Sequence, residues 1–428
     1  MLRLGLLLAI LTAQLAAIAA PALSLDSCQA LAQANYPVLK RYDIVALTTA
    51  VELSDINKSW LPQVTVYAQG TVQNSVPEFP DALRNVLSQM QQNLKGLGKL
   101  QYKAGVDLAQ PIFDGGESKA SRRVARSRRE VARSQLDVEM YALRERVQSL
   151  YFGILLMDEQ IAQTECTIRL LDANIKRLKA MLANGAAMQS DVDMLEAQRL
   201  TIRQQLTAAR GNEREYRKLL GIYIGRSVED AALERPAGTM PADTESQRPE
   251  LAAFAARERL NLSRREAVGA SLMPRIGLFA QAWGGYPGMD YFKSMVSRRM
   301  SMNLMAGVKV AWSISPFYTR SNRLRSISLD NESVASDREV FLFNSRLQSA
   351  AELERISTMR EQMADDARIV ELAGNVRKAA EAQLSNGIID TTALLTKITD
   401  ENRACLTARY HEIQLLQLIY QLKNTLNR

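Results

Sequence analysis

Side chains able to do chemistry are few and scattered in this sequence. There is one histidine, His411, and three cysteines, Cys28, Cys166 and Cys405. A zinc site needs such residues clustered at short spacings, and a nucleophilic triad needs a histidine set between a nucleophile and an acid. Neither arrangement occurs, nor does a Gly-rich phosphate loop. No catalytic, metal or cofactor site is therefore expected, and the chain does not read as an enzyme. His411 reads as a plain helix-face residue. Leu25-Asp26-Ser27-Cys28 approximates a lipidation box, but Asp26 and its distance from the preceding apolar run favour an ordinary helical cysteine.

The sequence offers backbone punctuation instead. Asn184-Gly185 and Asn386-Gly387 are helix-stop signals, since glycine enters the left-handed conformation at little cost. Ser190 or Asp191 is placed to cap a helix returning from the first turn, and Asp390 lies just beyond the second. Pro62, Pro111, Pro274 and Pro316, with Asp114-Gly115-Gly116, mark places where strands meet helices. Between them lie runs of period two. Val64 to Val72 and Ala104 to Gln110 alternate apolar with polar residues, as half-buried strands do.

Those signals need long elements to position them. Glu117 to Ala183 has no proline, and its apolar residues recur at alternating spacings of three and four: Met140, Leu143, Val147, Leu150, Ile154, Met157, Ile161, then Ile168, Leu171, Ile175, Leu178 and Leu182. Only Thr164 interrupts. This is a heptad seam, and at 1.5 Å per residue the helix measures roughly 100 Å. It must lie against other long helices. Asp26 to Ser59 predicts a first helix bent near Pro37, and a return helix runs from Ser190 or Asp191 to about Gly221. Asn74 to Lys99 reads as a polar loop.

The pattern then begins again. Pro37 recurs as Pro249, Leu61-Pro62-Gln63-Val64 as Met273-Pro274-Arg275-Ile276, and Tyr67-Ala68-Gln69 as Phe279-Ala280-Gln281, each 212 positions later. Ala104-Gly105-Val106 recurs as Ala306-Gly307-Val308 and Asn184-Gly185 as Asn386-Gly387, each 202 later. One register change inside a loop is how a tandem duplication ages. The expected division is a signal peptide over 1–24, a first repeat over 25–224, a linker over 225–247 and a second repeat over 248–428. The cut is expected after Ser24, because a cut after Ala20 leaves Pro21 first. In the second repeat, Thr319 to Ser385 and Ile388 to Leu426 are the long and return helices, with Leu395, Ile398, Cys405, Leu416 and Ile419 at helical spacing.

After the leader no apolar run is long enough to cross a bilayer as a helix, so strands must carry any membrane part. Four strands per chain cannot close a barrel, and open edges are excluded from lipid. Copies must share one: two chains give eight strands and three give twelve, and three suit a passage better. Val64, Val66, Val106, Leu108, Ile276, Leu278, Val308 and Val310 fall on one face. Thr65, Gln69, Asp107, Gln281 and Lys309 fall on the other, as a wet lumen requires. Tyr102, Phe113, Trp312, Phe317 and Tyr318 lie near strand ends, where aromatic belts sit. Arg122, Arg123, Arg126, Arg128, Arg129 and Arg133 imitate the basic region of a DNA-binding zipper, but a secretory leader argues against nucleic acid. They read as anchors near lipid headgroups, or as a solvated helix face. The fold class is thus mostly α with a small β part: duplicated long helices and four strands per chain. A secreted or periplasmic coiled-coil adaptor or scaffold without a pore is the competing reading, explaining the seams without a membrane.

With the duplicated strands, Pro111-Ile112-Phe113-Asp114-Gly115-Gly116 and the two Asn-Gly turns, nearly all of the mature chain resembles the TolC-like outer-membrane efflux protein family. The resemblance implies a homotrimer whose twelve-stranded barrel in the outer membrane continues into a helical tunnel through the periplasm. It also implies a tunnel tip, here Gly185 with Asp191 and its counterpart at Gly387, that meets a periplasmic adaptor and an inner-membrane pump. The second repeat departs from the family pattern. Its junction reads Ile314-Ser315-Pro316-Phe317-Tyr318, and Ala393 and Thr396 stand where some members carry constricting aspartates.

Overall fold

The computed structural model describes residues 22–89, 96–243 and 245–427. The expected leader lies almost wholly outside them. In order, the elements are α1 (Leu25–Asn35), α2 (Leu39–Lys58), β1 (Gln63–Val72), α3 (Asp81–Gln89), β2 (Leu100–Phe113), α4 (Glu117–Ala183) and α5 (Gln189–Ile224). They continue with α6 (Pro249–Ala270), β3 (Arg275–Tyr286), α7 (Tyr291–Ser297), β4 (Ser301–Ala311), α8 (Ser315–Ser385) and α9 (Thr391–Leu426). The fold is mostly helical, with one four-stranded antiparallel sheet in the order β1-β2-β3-β4.

Several boundaries differ from expectation. The predicted first helix is two, because Pro37 lacks the N–H that would carry α1 onward, and α1 is capped by Ser24 rather than by Asp26 or Ser27. The polar loop after β1 contains α3, which starts directly after Pro80. The second strand runs three residues past Gln110, to Phe113, because Pro111 is accommodated where the register of β2 against β3 shifts. The return helix starts at Gln189, ahead of both predicted caps.

The chain forms two compact units. Among the described residues, one comprises those up to 43, those within 134–253 and those from 336 on; the other comprises those within 44–133 and 254–335. In the first, Leu143, Val147, Tyr151, Phe152 and Ile154 of α4 close a core with Leu25, Cys28, Leu220 and Ile413. Leu23 joins it and is tied into the linker by bonds from its N–H to Ala232 O (2.9 Å) and from Glu234 N–H to its carbonyl (3.0 Å). Cys28 is fully buried there, which leaves no room for a lipid, and burial pushes its thiol up to about 11. A second core joins Leu171, Ile175 and Leu178 to Val192, Leu195, Leu384, Leu394 and Ile398. The heptad seam of α4 is therefore its buried stripe. Thr164, the interruption, is buried too and returns its hydroxyl to Gln160 O at 2.6 Å. In α9 the buried residue is Leu394, whereas its neighbour Leu395 is only partly covered.

In the other unit the sheet is the organising element. The predicted headgroup arginines of α4 are in part engaged within this unit. Arg128 pairs with Glu52, Arg123 with Glu266, and Arg122 donates to Asn57 at 2.9 Å.

Candidate functional site

The functional candidates fall into three groups: a polar sheet face, the strand–helix junctions, and the two helical turns. Antiparallel pairing sets side chains of paired residues on the same face. Thr65, Asp107, Gln281 and Met305 form one such row across all four strands. Gln69 pairs with Lys103, and Lys309 with Gly277. All five predicted lumen residues therefore share a face. Lys103, Arg275 and Asn303 share it too and were missed; Lys103 sits 5.6 Å from the centre of the Tyr67 ring. Alternation through the longer strands is the signal that finds them.

The opposite face is apolar and uncovered. Val64, Val66, Val106, Leu108, Leu278, Val308 and Val310 are all exposed, and Val66 retains 76% of its accessible surface. Met302 and Leu304 extend this face. A water-facing sheet hides such a surface; a barrel wall presents it to lipid. Tyr102, Phe113, Trp312, Phe317 and Tyr318 are likewise exposed rather than packed inside. Among the described residues no helix is long and apolar enough to cross a membrane.

The register repeats itself. Gln63 pairs with Ala109 and Val72 with Leu100; 212 and 202 positions later, Arg275 pairs with Ala311 and Gly284 with Met302. Every pair between β1 and β2 has such a counterpart between β3 and β4. Tyr67 opposite Gly105 becomes Phe279 opposite Gly307, whose missing side chain leaves the space that the Phe279 ring fills.

At the first junction, Pro62 precedes β1, and β2 gives way to α4 through Asp114-Gly115-Gly116. Both glycines have positive φ, 72° and 85°. The Asp114 carboxylate accepts from Gly116 N–H (2.9 Å) and Ser118 N–H (2.7 Å), covering donors that the first helical turn leaves unpaired. Partial burial by itself raises its pKa; the Ser118 hydroxyl and these N–H groups outweigh that and hold it below the usual carboxylate range. The second junction has no such carboxylate. Pro274 precedes β3, and Pro316 stands in the first turn of α8, where a missing N–H costs nothing.

The turns match bond for bond. Gly185 N–H donates to Leu182 O (2.9 Å) and Ala186 N–H to Met181 O (2.8 Å); Gly387 donates to Leu384 O (3.0 Å) and Ile388 to Gln383 O (2.9 Å). These are Schellman closures, with φ of 71° at Gly185 and 69° at Gly387. Asn184 and Asn386 occupy the position before each glycine. Asp390 caps α9 by accepting from Ala393 N–H at 2.8 Å, whereas Asp191 lies inside α5 and reaches back to Met188 N–H at 2.9 Å. Apolar Met188 and Ile388 stand exposed beside the turns. Among the described residues no cluster of potential metal ligands occurs.

Residues 56–223 match the model of a family described as outer membrane efflux protein. No protein of curated description matches by sequence. Solved structures similar in fold include the outer membrane protein VceC of Vibrio cholerae, with 12% identity, a TM-score of 0.66, and coverage of 94% of this chain and 95% of that one. The CmeC outer membrane channel of Campylobacter jejuni shows 15% identity and a TM-score of 0.65, covering 94% and 85%. The open-state MtrE outer membrane channel of Neisseria gonorrhoeae shows 14% and 0.64, covering 94% and 88%.

Proposed function

We infer that this chain, whose family match and fold are those of the TolC-like outer-membrane efflux proteins, works as a passive exit channel in the outer membrane of a Gram-negative bacterium. The observation that carries this reading is the two-faced sheet: one side apolar and uncovered, the other polar, with β1 and β4 as its outer strands. In hydrocarbon every backbone group must be paired, so such a sheet is stable only when closed into a barrel. Four strands are too few. Three copies give a twelve-stranded wall wide enough for a lumen lined by Thr65, Gln69, Asp107, Gln281 and Lys309.

The chain performs no chemistry of its own. Energy for export comes from an inner-membrane pump, reached through a periplasmic adaptor as part of an efflux or type I secretion assembly. The adaptor meets the turns at Asn184-Gly185 and Asn386-Gly387, where Met188 and Ile388 supply exposed apolar contacts beside Asp191 and Asp390. Opening rearranges the return helices about the two glycines.

Fractionation tests the reading. The protein should partition to the outer membrane, need detergent, run as a trimer that dissociates on heating, and give discrete conductance steps in a planar bilayer. A water-soluble monomer without conductance would return the chain to the scaffold class.

A further inference from the structure

A cavity of about 480 Å³ lies at the foot of the sheet, where all four strands meet the ends of α2 and α4. Register fixes the side on which it opens. Gln63 pairs with Ala109, Pro111 with Gly277, and Gly277 with Lys309, all on the face of Thr65, Asp107 and Gln281. Its walls are mostly apolar, with Ile56, Trp60, Pro111 and Phe279 among them. Gln110 fixes one wall by donating from Nε2 to Trp60 O (2.7 Å) and Pro111 O (3.0 Å).

The charged residues of the cavity are Asp114, Glu117, Arg275 and Lys309, and all but one are committed. Asp114 is held by the N–H groups of Gly116 and Ser118. Glu117 and Arg275 pair with each other at 2.6 Å. Among the described residues Lys309 has no ion-pair or hydrogen-bond partner. The duplication shows how it lost one. Asp107, the same position in the first repeat, stands opposite Thr65, whereas Lys309 stands opposite Gly277, which has no side chain to offer. Its diagonal neighbours on β3 are Phe279, an aromatic wall, and Arg275, which Glu117 neutralises.

We propose that this cavity binds amphipathic organic anions, with Lys309 pairing the charged group and Trp60, Pro111 and Phe279 taking the apolar body. The proposal rests on the channel reading above, in which this face lines the lumen, and it adds a class of cargo. Small-molecule sites have this size and this make-up, apolar walls with a few placed polar groups. Sign selects the ligand. An organic cation finds no uncommitted carboxylate here, and a neutral molecule fills the walls but leaves Lys309 without a counter-charge. An anion satisfies both, and its attraction to the ammonium is stronger beside apolar walls than in open water. Carboxylate, sulfonate and phosphate groups share the chemistry required.

Two probes of one shape and opposite charge test it on the full chain: naphthalenesulfonate and naphthylmethylammonium. Occupancy is read as block of single-channel current in a planar bilayer. Calorimetric titration of the detergent-solubilised protein reads it again without requiring conductance. Naphthalenesulfonate should block and bind, and naphthylmethylammonium should do neither over the same concentrations. Lys309→Gln should raise the half-blocking concentration about tenfold, and Lys309→Arg should restore it. Lys103→Gln removes the same charge from the same face outside the cavity, so it should leave the half-blocking concentration unchanged.

Equal block by the two probes would overturn the proposal, as would an anion affinity that Lys309→Gln does not change. An equal loss in Lys103→Gln would overturn it too, because general lumen charge would then account for the effect. A conducting protein that neither binds nor is blocked by naphthalenesulfonate would remove the site and leave the channel standing. Calorimetric binding that follows Lys309 in a protein without conductance would keep the site and remove the channel reading.

Discussion

Asp191 and Asp390 hold the starts of two corresponding helices from positions that do not correspond. Asp390 occupies the cap itself, and its carboxylate takes the Ala393 N–H. Met188 occupies that place in the first repeat, and Asp191, three residues on, takes the Met188 N–H instead. Each repeat keeps one carboxylate at the positive end of a helix, where it is favourable. Asp390→Ala should cost about 1 kcal/mol and speed hydrogen exchange of Ala393. Met188→Asp should restore what Asp191→Ala removes, because Met188 already has the extended conformation of a cap (φ −99°, ψ 157°). Exchange rates of the α5 first-turn amides report this; no recovery in the double variant would show that cap and third-residue carboxylates are not interchangeable here.

Much of this was legible because local rules and a duplication agreed. Proline-free length and a three-four seam gave α4 to the residue, and glycine after asparagine gave both turns. What stayed hidden depended on distant partners. Nothing near Arg122 or Arg123 in sequence reveals Asn57 or Glu266, 65 and 143 positions away. The choice of Leu394 over Leu395 as core residue is made by Leu384 and Ile398 around it, and period alone fits both. The helix α3 was obscured because its apolar Leu83 and Val86 are exposed, so no buried stripe marks it. The cap at Met188 was unreadable for a simpler reason: methionine has no acceptor suited to the task.

Leu23 and Ser24 bear on processing. A cut after Ser24 removes a residue that is 5% exposed, pairs with the linker, and accepts the Tyr151 hydroxyl at 2.7 Å. It also removes the α1 cap, whose hydroxyl takes the Ser27 N–H at 3.2 Å. Together these losses amount to roughly 2–4 kcal/mol. The mature chain should therefore begin at or before Leu23, and Ala20-Pro21-Ala22 supplies small residues at the positions a leader peptidase reads. N-terminal sequencing of protein from the outer membrane decides the matter; a start at Leu25 would contradict it.

Gly185 and Gly387 should be limited by backbone conformation, not by crowding. Nothing lies within 4 Å of where a Cβ would stand on either, yet both have φ near +70°. Alanine at each should cost about 1 kcal/mol, and asparagine less, since its side chain tolerates this conformation. If opening pivots there, bulky residues at both sites should reduce export while the heat-labile trimer still assembles. Export unchanged beside a normal trimer would remove the turns from the gating mechanism.

Glu352 gives a pH dependence with a definite sign. It is 5% exposed; its Oε1 accepts from Thr425 Oγ1 (2.9 Å) and Gln348 Nε2 (3.0 Å), while Oε2 has no partner. Burial raises its pKa, and the two hydrogen bonds and Arg355 offset this only in part. A carboxyl whose folded pKa lies above its unfolded value penalises the fold once it ionises. The penalty is full above the folded pKa, shrinks as pH falls through it, and is gone below the unfolded value of about 4.3. Glu352→Gln should therefore raise the melting temperature at pH 8, by the equivalent of roughly 1 kcal/mol, and lose that advantage near pH 4. Parallel curves for the two proteins across that range would mean that the ionised carboxylate is not what the fold resists at this position.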